Sequence, residues 1–78
     1  MRITISNPAF GQNLLTLRKR YCLSRRGMGK LLGINIYTLK KWEEGTLPPE
    51  TDEIFLSRLA AVFPNEAGTT VHGTLSEE

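Results

Sequence analysis

Capping residues divide the middle of the 78-residue chain into two short helices joined by a tight turn. Ser24 is a good N-cap, and Gly33 stands where a residue in the left-handed conformation commonly ends a helix. Asn35 can cap another helix only two residues later, and Gly45 closes that helix, which runs to about Glu43. The sequence therefore predicts a helix, a glycine turn of about three residues and a second helix.

Apolar residues mark one inward face on each of these two helices. The expected core positions are Met28, Leu31 and Leu32 in the first of them, and Leu39 and Trp42 in the second. Two glycines weaken the helix that Ser24 caps, because each costs up to about 1 kcal/mol relative to alanine. Gly29 is acceptable if another helix crosses close to it, whereas Gly27 has no evident reason.

A further helix is predicted on each side of this pair. Asn7 and Pro8 suit the start of a helix. Apolar residues follow at helical spacing, at Phe10, Leu14, Leu17 and Tyr21. After a non-helical linker at residues 46–49, Asp52 and Glu53 place negative charge in the first turn of a last helix. Its apolar stripe is Phe55, Leu59 and Val62.

The pattern predicts an all-α fold, a compact bundle of four helices with a fifth as the alternative. Residues 8–64 form the predicted domain. Residues 1–7 allow a brief strand but are expected to be a loose lead-in. Residues 65–78 are rich in Gly, Thr, Ser and Glu, and they are expected to form a mobile tail.

The composition argues against an enzyme or a metalloprotein. Cys22 is the single cysteine and His72 the single histidine, so an internal disulfide and the usual hydrolytic triads and metal clusters are excluded. No stretch approaches the roughly 18 apolar residues that span a bilayer. The N-terminus has no apolar region of the signal-peptide kind. We expect a cytoplasmic binding module with no catalytic residue, no metal and no cofactor.

Charge is strongly segregated along the chain. Residues 1–42 hold nine bases and no acid, a net charge of +9, whereas residues 43–78 hold one base and eight acids, a net charge of −7. A basic half without acids is typical of proteins that bind nucleic acid or membrane phosphates. The alternative is a solvated charged surface with chance segregation.

Two stretches of the sequence, residues 18–24 and residues 33–45, resemble the Cro/lambda-repressor-type (XRE) helix-turn-helix family. Residues 18–24, Arg-Lys-Arg-Tyr-Cys-Leu-Ser, are similar to the end of that family's first helix. Residues 33–45 are similar to its turn and recognition helix, and they end in the family's pattern of an aromatic or aliphatic residue, Glu, any residue and Gly. Pro49 matches the proline that usually follows. The resemblance covers roughly residues 9–63.

The resemblance implies the DNA-binding domain of a small bacterial or phage-type transcriptional regulator. Its recognition helix, about residues 35–44, is then expected in the major groove of double-stranded DNA. The expected base contacts are Ile36, Tyr37, Thr38 and Lys41, and the expected phosphate contacts are Arg25, Arg26 and Lys40. Arg18 and Glu43 are expected to pair across the first and third helices as a structural ion pair.

Oligomerisation follows from the size of the recognition helix. One such helix reads only a few base pairs, so useful specificity implies a homodimer on a pseudo-palindromic site. The fifth helix that often dimerises these proteins has no sequence signal here. The second helix also departs from the family, because Arg-Arg-Gly-Met-Gly at residues 25–29 replaces the usual Gln or Glu and Ala.

A second class of function stays open, a protein-interaction module on the same fold, such as an antitoxin partner or an adaptor. Ile36 and Tyr37 on an exposed helix edge favour a protein partner, whereas the +9 half favours DNA. The same two residues are alternatively ordinary packing residues, and the expected phosphate contacts are alternatively solvated surface bases. Salt dependence separates the two classes, because binding to DNA weakens steeply with salt.

Overall fold

The computed structural model describes residues 2–47 and 49–75. Within these ranges the chain is mostly helical, as predicted, with five helices and a small two-stranded sheet. The elements in chain order are β1 (Ile3–Thr4), α1 (Phe10–Arg20), α2 (Arg25–Leu32), α3 (Ile36–Glu44), β2 (Glu50–Thr51), α4 (Glu53–Val62) and α5 (Ala67–His72). Helix α1 packs against α3 and α5, and α2 packs against α3 and α4.

The predicted caps of α2 and α3 are confirmed. The Ser24 Oγ atom accepts a hydrogen bond of 3.0 Å from the backbone N–H three residues later. The Asn35 Oδ1 atom accepts one of 2.7 Å from the N–H two residues later. Gly33 and Gly45 adopt φ angles of 69° and 74°, in the left-handed region that glycine enters without strain. Local capping chemistry therefore fixes the ends of both helices.

Helices α1 to α4 surround one apolar core. Three of its rings meet edge to face, with centroid distances of 5.7 Å from Trp42 to both Phe10 and Phe55, and 6.3 Å between the two phenylalanines. The other buried apolar side chains are Ile5, Leu14, Leu17, Met28, Leu32, Leu39, Leu59 and Phe63. Leu31 was expected here and is 43% exposed, because α2 presents to the core only the face that carries Met28 and Leu32.

Two glycines let neighbouring backbones approach closely. A Cβ atom on Gly29 would lie 2.8 Å from the Ile34 carbonyl oxygen, so the close approach expected at this glycine exists, although its partner is the turn. A Cβ atom on Gly11 would overlap the carbonyl oxygen of Trp42, so α1 and α3 can pack at this distance only with glycine at that position. Gly27 has ordinary space around it, and the packing gives no reason for a glycine there.

The N-terminal segment is part of the fold, so the expectation of a loose lead-in is wrong. Strand β1 pairs antiparallel with β2, with Ile3 opposite Thr51. The Ile5 N–H donates a 2.9 Å hydrogen bond to the Pro49 carbonyl, and the Ile5 side chain is buried in the core. The brief strand that the alternation allowed finds a partner from a distant part of the chain, which local pattern does not reveal.

Helix α1 begins later than the Asn7-Pro8 pair indicates, at Phe10. Asn7 instead forms a turn before the helix, because its Oδ1 atom accepts a 3.1 Å hydrogen bond from the Ala9 N–H. Its Nδ2 atom donates a 2.7 Å hydrogen bond to the carbonyl of Gly73, close to the end of the described chain. The residue is therefore both a local turn former and a contact to α5.

The expectation of a mobile tail is wrong for residues 66–75. The buried Asn13 side chain of α1 donates hydrogen bonds to the carbonyls of Thr70 at 3.0 Å and Gly73 at 2.9 Å, and it accepts one from the Leu75 N–H at 2.9 Å. Thr70 itself is fully buried. This polar contact adds to apolar packing, because Ala67, Val71 and Leu75, which are spaced four residues apart, lie against the core. The polar composition of the segment obscures this short stripe in the sequence. Residues 76–78 of the expected tail lie outside the described ranges.

Tyr21 makes a second contact between α1 and the region of α5. It was expected on the inward stripe, but it follows the last turn of α1 and is 50% exposed. Its ring packs on Phe63 with centroids 5.1 Å apart, and its hydroxyl donates a 3.0 Å hydrogen bond to Glu66. Because this hydrogen bond favours the neutral phenol, it raises the pKa of Tyr21 above the ordinary 10.0, and partial desolvation adds to the shift.

Candidate nucleic-acid interface

Helix α3 presents two different sides. Leu39 and Trp42 anchor one side in the core. On the other side Tyr37 is 68% exposed, and Ile36 at the start of the helix is 46% exposed. Tyr37 is therefore not a core residue, because an aromatic ring that is two-thirds exposed makes few packing contacts.

Lysines accompany these apolar side chains. The Lys41 Nζ atom lies 5.7 Å from the centroid of the Tyr37 ring, within the range of a cation–π contact. Lys40 is exposed. The structure therefore brings Tyr37 and Lys41, two of the predicted base-contacting residues, directly together.

Thr38 is placed differently from the other predicted base contacts. It is half-buried and lines a cleft between α3 and α4, together with Asn35, Phe55 and Arg58. It therefore does not share the exposed patch of Tyr37 and Lys41. A base contact by Thr38 remains a prediction that this placement does not favour.

The N-terminal end of α2 carries two of the predicted phosphate contacts. Arg26 is exposed. The Arg25 side chain is 40% exposed, and its Nε atom donates a 3.0 Å hydrogen bond to Oε1 of Glu43. Because Glu43 belongs to α3, Arg25 ties the start of one helix to the end of the other.

The predicted partners Arg18 and Glu43 lie in contact. The Arg18 Nε atom donates to Oε2 of Glu43 at 2.8 Å, and its Nη2 atom donates to Oε1 at 3.1 Å. A third hydrogen bond, of 3.1 Å, joins Arg18 Nη1 to the Leu23 carbonyl. Only 2% of the Glu43 side chain is exposed, against 16% for Arg18. The carboxylate is therefore a buried charge fully surrounded by partners.

One carboxylate thus serves two guanidinium groups, and the cluster keeps one net positive charge. The link from Arg25 to Glu43 was missed from the sequence. No spacing rule connects the first residue of α2 with the eighth residue of α3, since the contact depends on the angle between the helices. We call Arg18, Arg25 and Glu43 the arginine–glutamate cluster.

Other bases are divided between ion pairs and open surface. Arg2 pairs with Glu50 at 3.6 Å on the exposed sheet, and Arg20 pairs with Glu66 at 3.3 Å. The exposed bases on the two central helices are Arg26 and Lys30 on α2 and Lys40 on α3.

In the part of the chain that the structure describes, no group of three or more His, Cys, Asp and Glu side chains is placed to hold a metal ion. No helix within residues 2–47 and 49–75 combines the length and apolar character that crossing a membrane requires. Cys22 is exposed in the turn after α1.

Comparison of the chain with models of known protein families, with curated proteins and with solved structures finds no match. The residues of this chain and their geometry therefore carry the functional argument.

Proposed function

We propose that the chain is a sequence-specific regulator of transcription that binds double-stranded DNA, with a lambda-repressor-like helix-turn-helix fold and α3 in the major groove. The observation that carries this proposal is the two-sided character of α3. Leu39 and Trp42 anchor the helix in the core, while Tyr37 and Lys41 stand together on its exposed side.

The dimensions of α3 suit this role. An α-helix with its side chains is about 10–12 Å in diameter, and the major groove, about 12 Å wide, accepts a single helix. Gly33 ends α2 and Asn35 caps α3 two residues later, so a short turn joins the two helices, as in a helix-turn-helix. The buried edge of α3 leaves its opposite face for DNA without disturbing the core.

The side chains on this surface have the chemistry that base reading needs. Lys41 can donate to the O6 and N7 acceptors of guanine, and Ile36 can meet the methyl group of thymine. Tyr37 offers both a ring and a hydroxyl donor. Arg25, Arg26 and Lys40 supply the positive charge that positions a protein on the phosphates.

Specific binding would require two copies of the chain. A single α3 spans only a few base pairs, so we propose a homodimer on a pseudo-palindromic site whose two-fold symmetry matches that of the protein. The chain itself performs no chemistry in this proposal.

A DNA titration tests the proposal. A duplex is selected from a randomised pool on the immobilised chain, and its affinity is compared with that of a random duplex over a series of salt concentrations. The logarithm of the affinity should fall linearly with the logarithm of salt concentration, and the selected duplex should bind more tightly. Arg26→Ala and Lys40→Ala should each reduce the slope by about one while weakening both duplexes similarly.

A protein partner is the second candidate, and one observation favours it. Leu31, Ile36 and Tyr37 expose 43%, 46% and 68% of their surface on the two helices of the motif. Ile36 and Tyr37 are also adjacent in the chain, and contiguous exposed apolar residues are typical of protein interfaces. Failure to enrich any duplex, with no salt-dependent binding, would favour this function over DNA binding.

A further inference from the structure

The two arginines of the arginine–glutamate cluster use Glu43 in different ways. Arg18 donates hydrogen bonds from Nε and Nη2 to the carboxylate and from Nη1 to a backbone carbonyl, and its side chain is nearly buried. Arg25 donates to the carboxylate only from Nε, and 40% of its side chain is exposed. Within residues 2–47 and 49–75, the two Nη atoms of Arg25 have no hydrogen-bond partner.

A guanidinium group is planar, so a hydrogen bond at Nε restricts the direction of the remaining N–H groups. A guanidinium has two edges that can bind two oxygens of a phosphate at once, and one of them carries Nη1 and Nη2. In Arg25 this edge is unoccupied, while the opposite part of the group is tied to a buried anchor. Arg18, itself bonded to the Leu23 carbonyl, holds that carboxylate in place.

We propose that Glu43 is a positioning residue for DNA binding, which holds the Arg25 guanidinium so that its free edge meets a DNA phosphate. This inference depends on the function proposed above. It gives Glu43 a second role besides its structural pairing with Arg18. A side chain that is already ordered loses less conformational freedom on binding, an advantage of about three- to tenfold in affinity.

Glu43 is an acid beside the surface proposed to face DNA, so electrostatics and positioning predict opposite effects when its charge is removed. Simple electrostatics predicts that neutralising an acid near the phosphates strengthens DNA binding. Positioning predicts the opposite at Glu43, because the loss of the anchor releases Arg25. The sign of the change therefore separates the two explanations.

The first experiment compares Glu43→Gln with Glu44→Gln, and affinities are measured under conditions where circular dichroism shows each variant folded. Glu44 is exposed on the same helix and undergoes the same change in charge. Glu43→Gln should weaken binding about three- to tenfold, whereas Glu44→Gln should leave it unchanged or strengthen it slightly. Equal effects of the two variants would overturn the inference.

The second experiment keeps the charge and changes only the geometry. Arg25→Lys removes the planar fork, and it should weaken binding about three- to tenfold. Arg26→Lys makes the same exchange at an arginine with no ion pair in the described ranges, and its loss should be at most about twofold. In the Glu43→Gln background the loss caused by Arg25→Lys should nearly disappear. Equal losses for the two lysine variants, or an unchanged loss in that background, would contradict positioning by Glu43.

A third measurement uses the unaltered chain, so it remains decisive if Glu43→Gln does not fold. Nuclear magnetic resonance of the arginine Nε–H groups in the free protein should show a high order parameter for Arg25 and a low one for Arg26. Equal mobility of the two groups would overturn the inference alone. An unaltered chain that shows no salt-dependent DNA binding would overturn the proposed function together with this inference.

Discussion

The Arg18 guanidinium and the Glu43 carboxylate meet through two hydrogen bonds, of 2.8 and 3.1 Å, and so join α1 to α3. The carboxylate is almost fully buried, which distinguishes this pair from surface ion pairs of small energetic value. Removal of either Arg18 or Glu43 would leave the other charge unpaired and away from water. This distinguishes Glu43 from the acids at the exposed surface.

The first prediction concerns the stability of this pair. Glu43→Ala leaves the nearly buried Arg18 without its counter-charge, so the free energy of unfolding should fall by about 1–3 kcal/mol. Arg18→Ala should cause a loss of similar size. Urea denaturation of both single variants and the double variant gives the coupling between them. Strictly additive losses would contradict a pair that acts as a unit.

The second prediction uses two glycines of the same helix. Gly27→Ala should raise the free energy of unfolding by up to about 1 kcal/mol, because α2 gains helix propensity and the new methyl group has ordinary space. Gly29→Ala should lower it, because the methyl group would press on the Ile34 carbonyl oxygen. Thermal denaturation of the two variants is the check. Equal shifts in the same direction would show that helix propensity alone decides both positions.

The third prediction concerns Asn13 and α5. Asn13→Ala removes the side chain that bonds the backbone of residues 70, 73 and 75, so the free energy of unfolding should fall by about 2–3 kcal/mol. Hydrogen exchange should accelerate at residues 67–75 more than in the centre of α1. Gln12→Ala, at an exposed neighbour on the same helix, is the control. Unchanged exchange in α5 would show that other contacts hold this helix.

The fourth prediction concerns pH. The pKa of Tyr21 is raised in the folded state by its hydrogen bond to Glu66. The contribution of this bond to stability is therefore fully present below the ordinary value of 10.0, and it is lost as pH rises through the raised pKa. The difference in unfolding free energy between the unaltered chain and Tyr21→Phe should stay constant at neutral pH and shrink in alkali.

Titration of the phenol tests the same relationship directly. The chain has two tyrosines, so a Tyr37→Phe background leaves Tyr21 as the only one. Its ultraviolet titration should move to lower pH when Glu66→Gln removes the carboxylate. A titration that does not respond to Glu66→Gln would contradict the cause given for the shift.

The parts of the fold that sequence reasoning reached are those that local chemistry determines. Ser24, Gly33, Asn35 and Gly45 set the ends of α2 and α3 through groups a few residues apart. Spacing also indicated the buried edge of α3. Each of these features needs only the geometry of a single helix.

The features that sequence reasoning missed depend on distant partners. Strand β1 exists because β2 lies beside it, and the Asn13 side chain on α1 binds the backbone of residues 70, 73 and 75. The contact between Arg25 and Glu43 depends on the angle at which α2 meets α3. Neither hydrophobic periodicity nor capping rules carry information about such contacts, since they describe one element at a time.

The measurement that tests the central claim most directly is the effect of Tyr37→Ala on the ratio of affinities for the selected and random duplexes. Tyr37 is exposed and outside the core, so the variant should fold normally. Ile54→Ala, which trims a similarly exposed apolar side chain on α4, is the control. Affinity for the selected duplex should fall by about 1–3 kcal/mol with little change on the random one. An unchanged ratio, together with an unchanged salt slope in Arg26→Ala, would mean that α3 does not enter the groove.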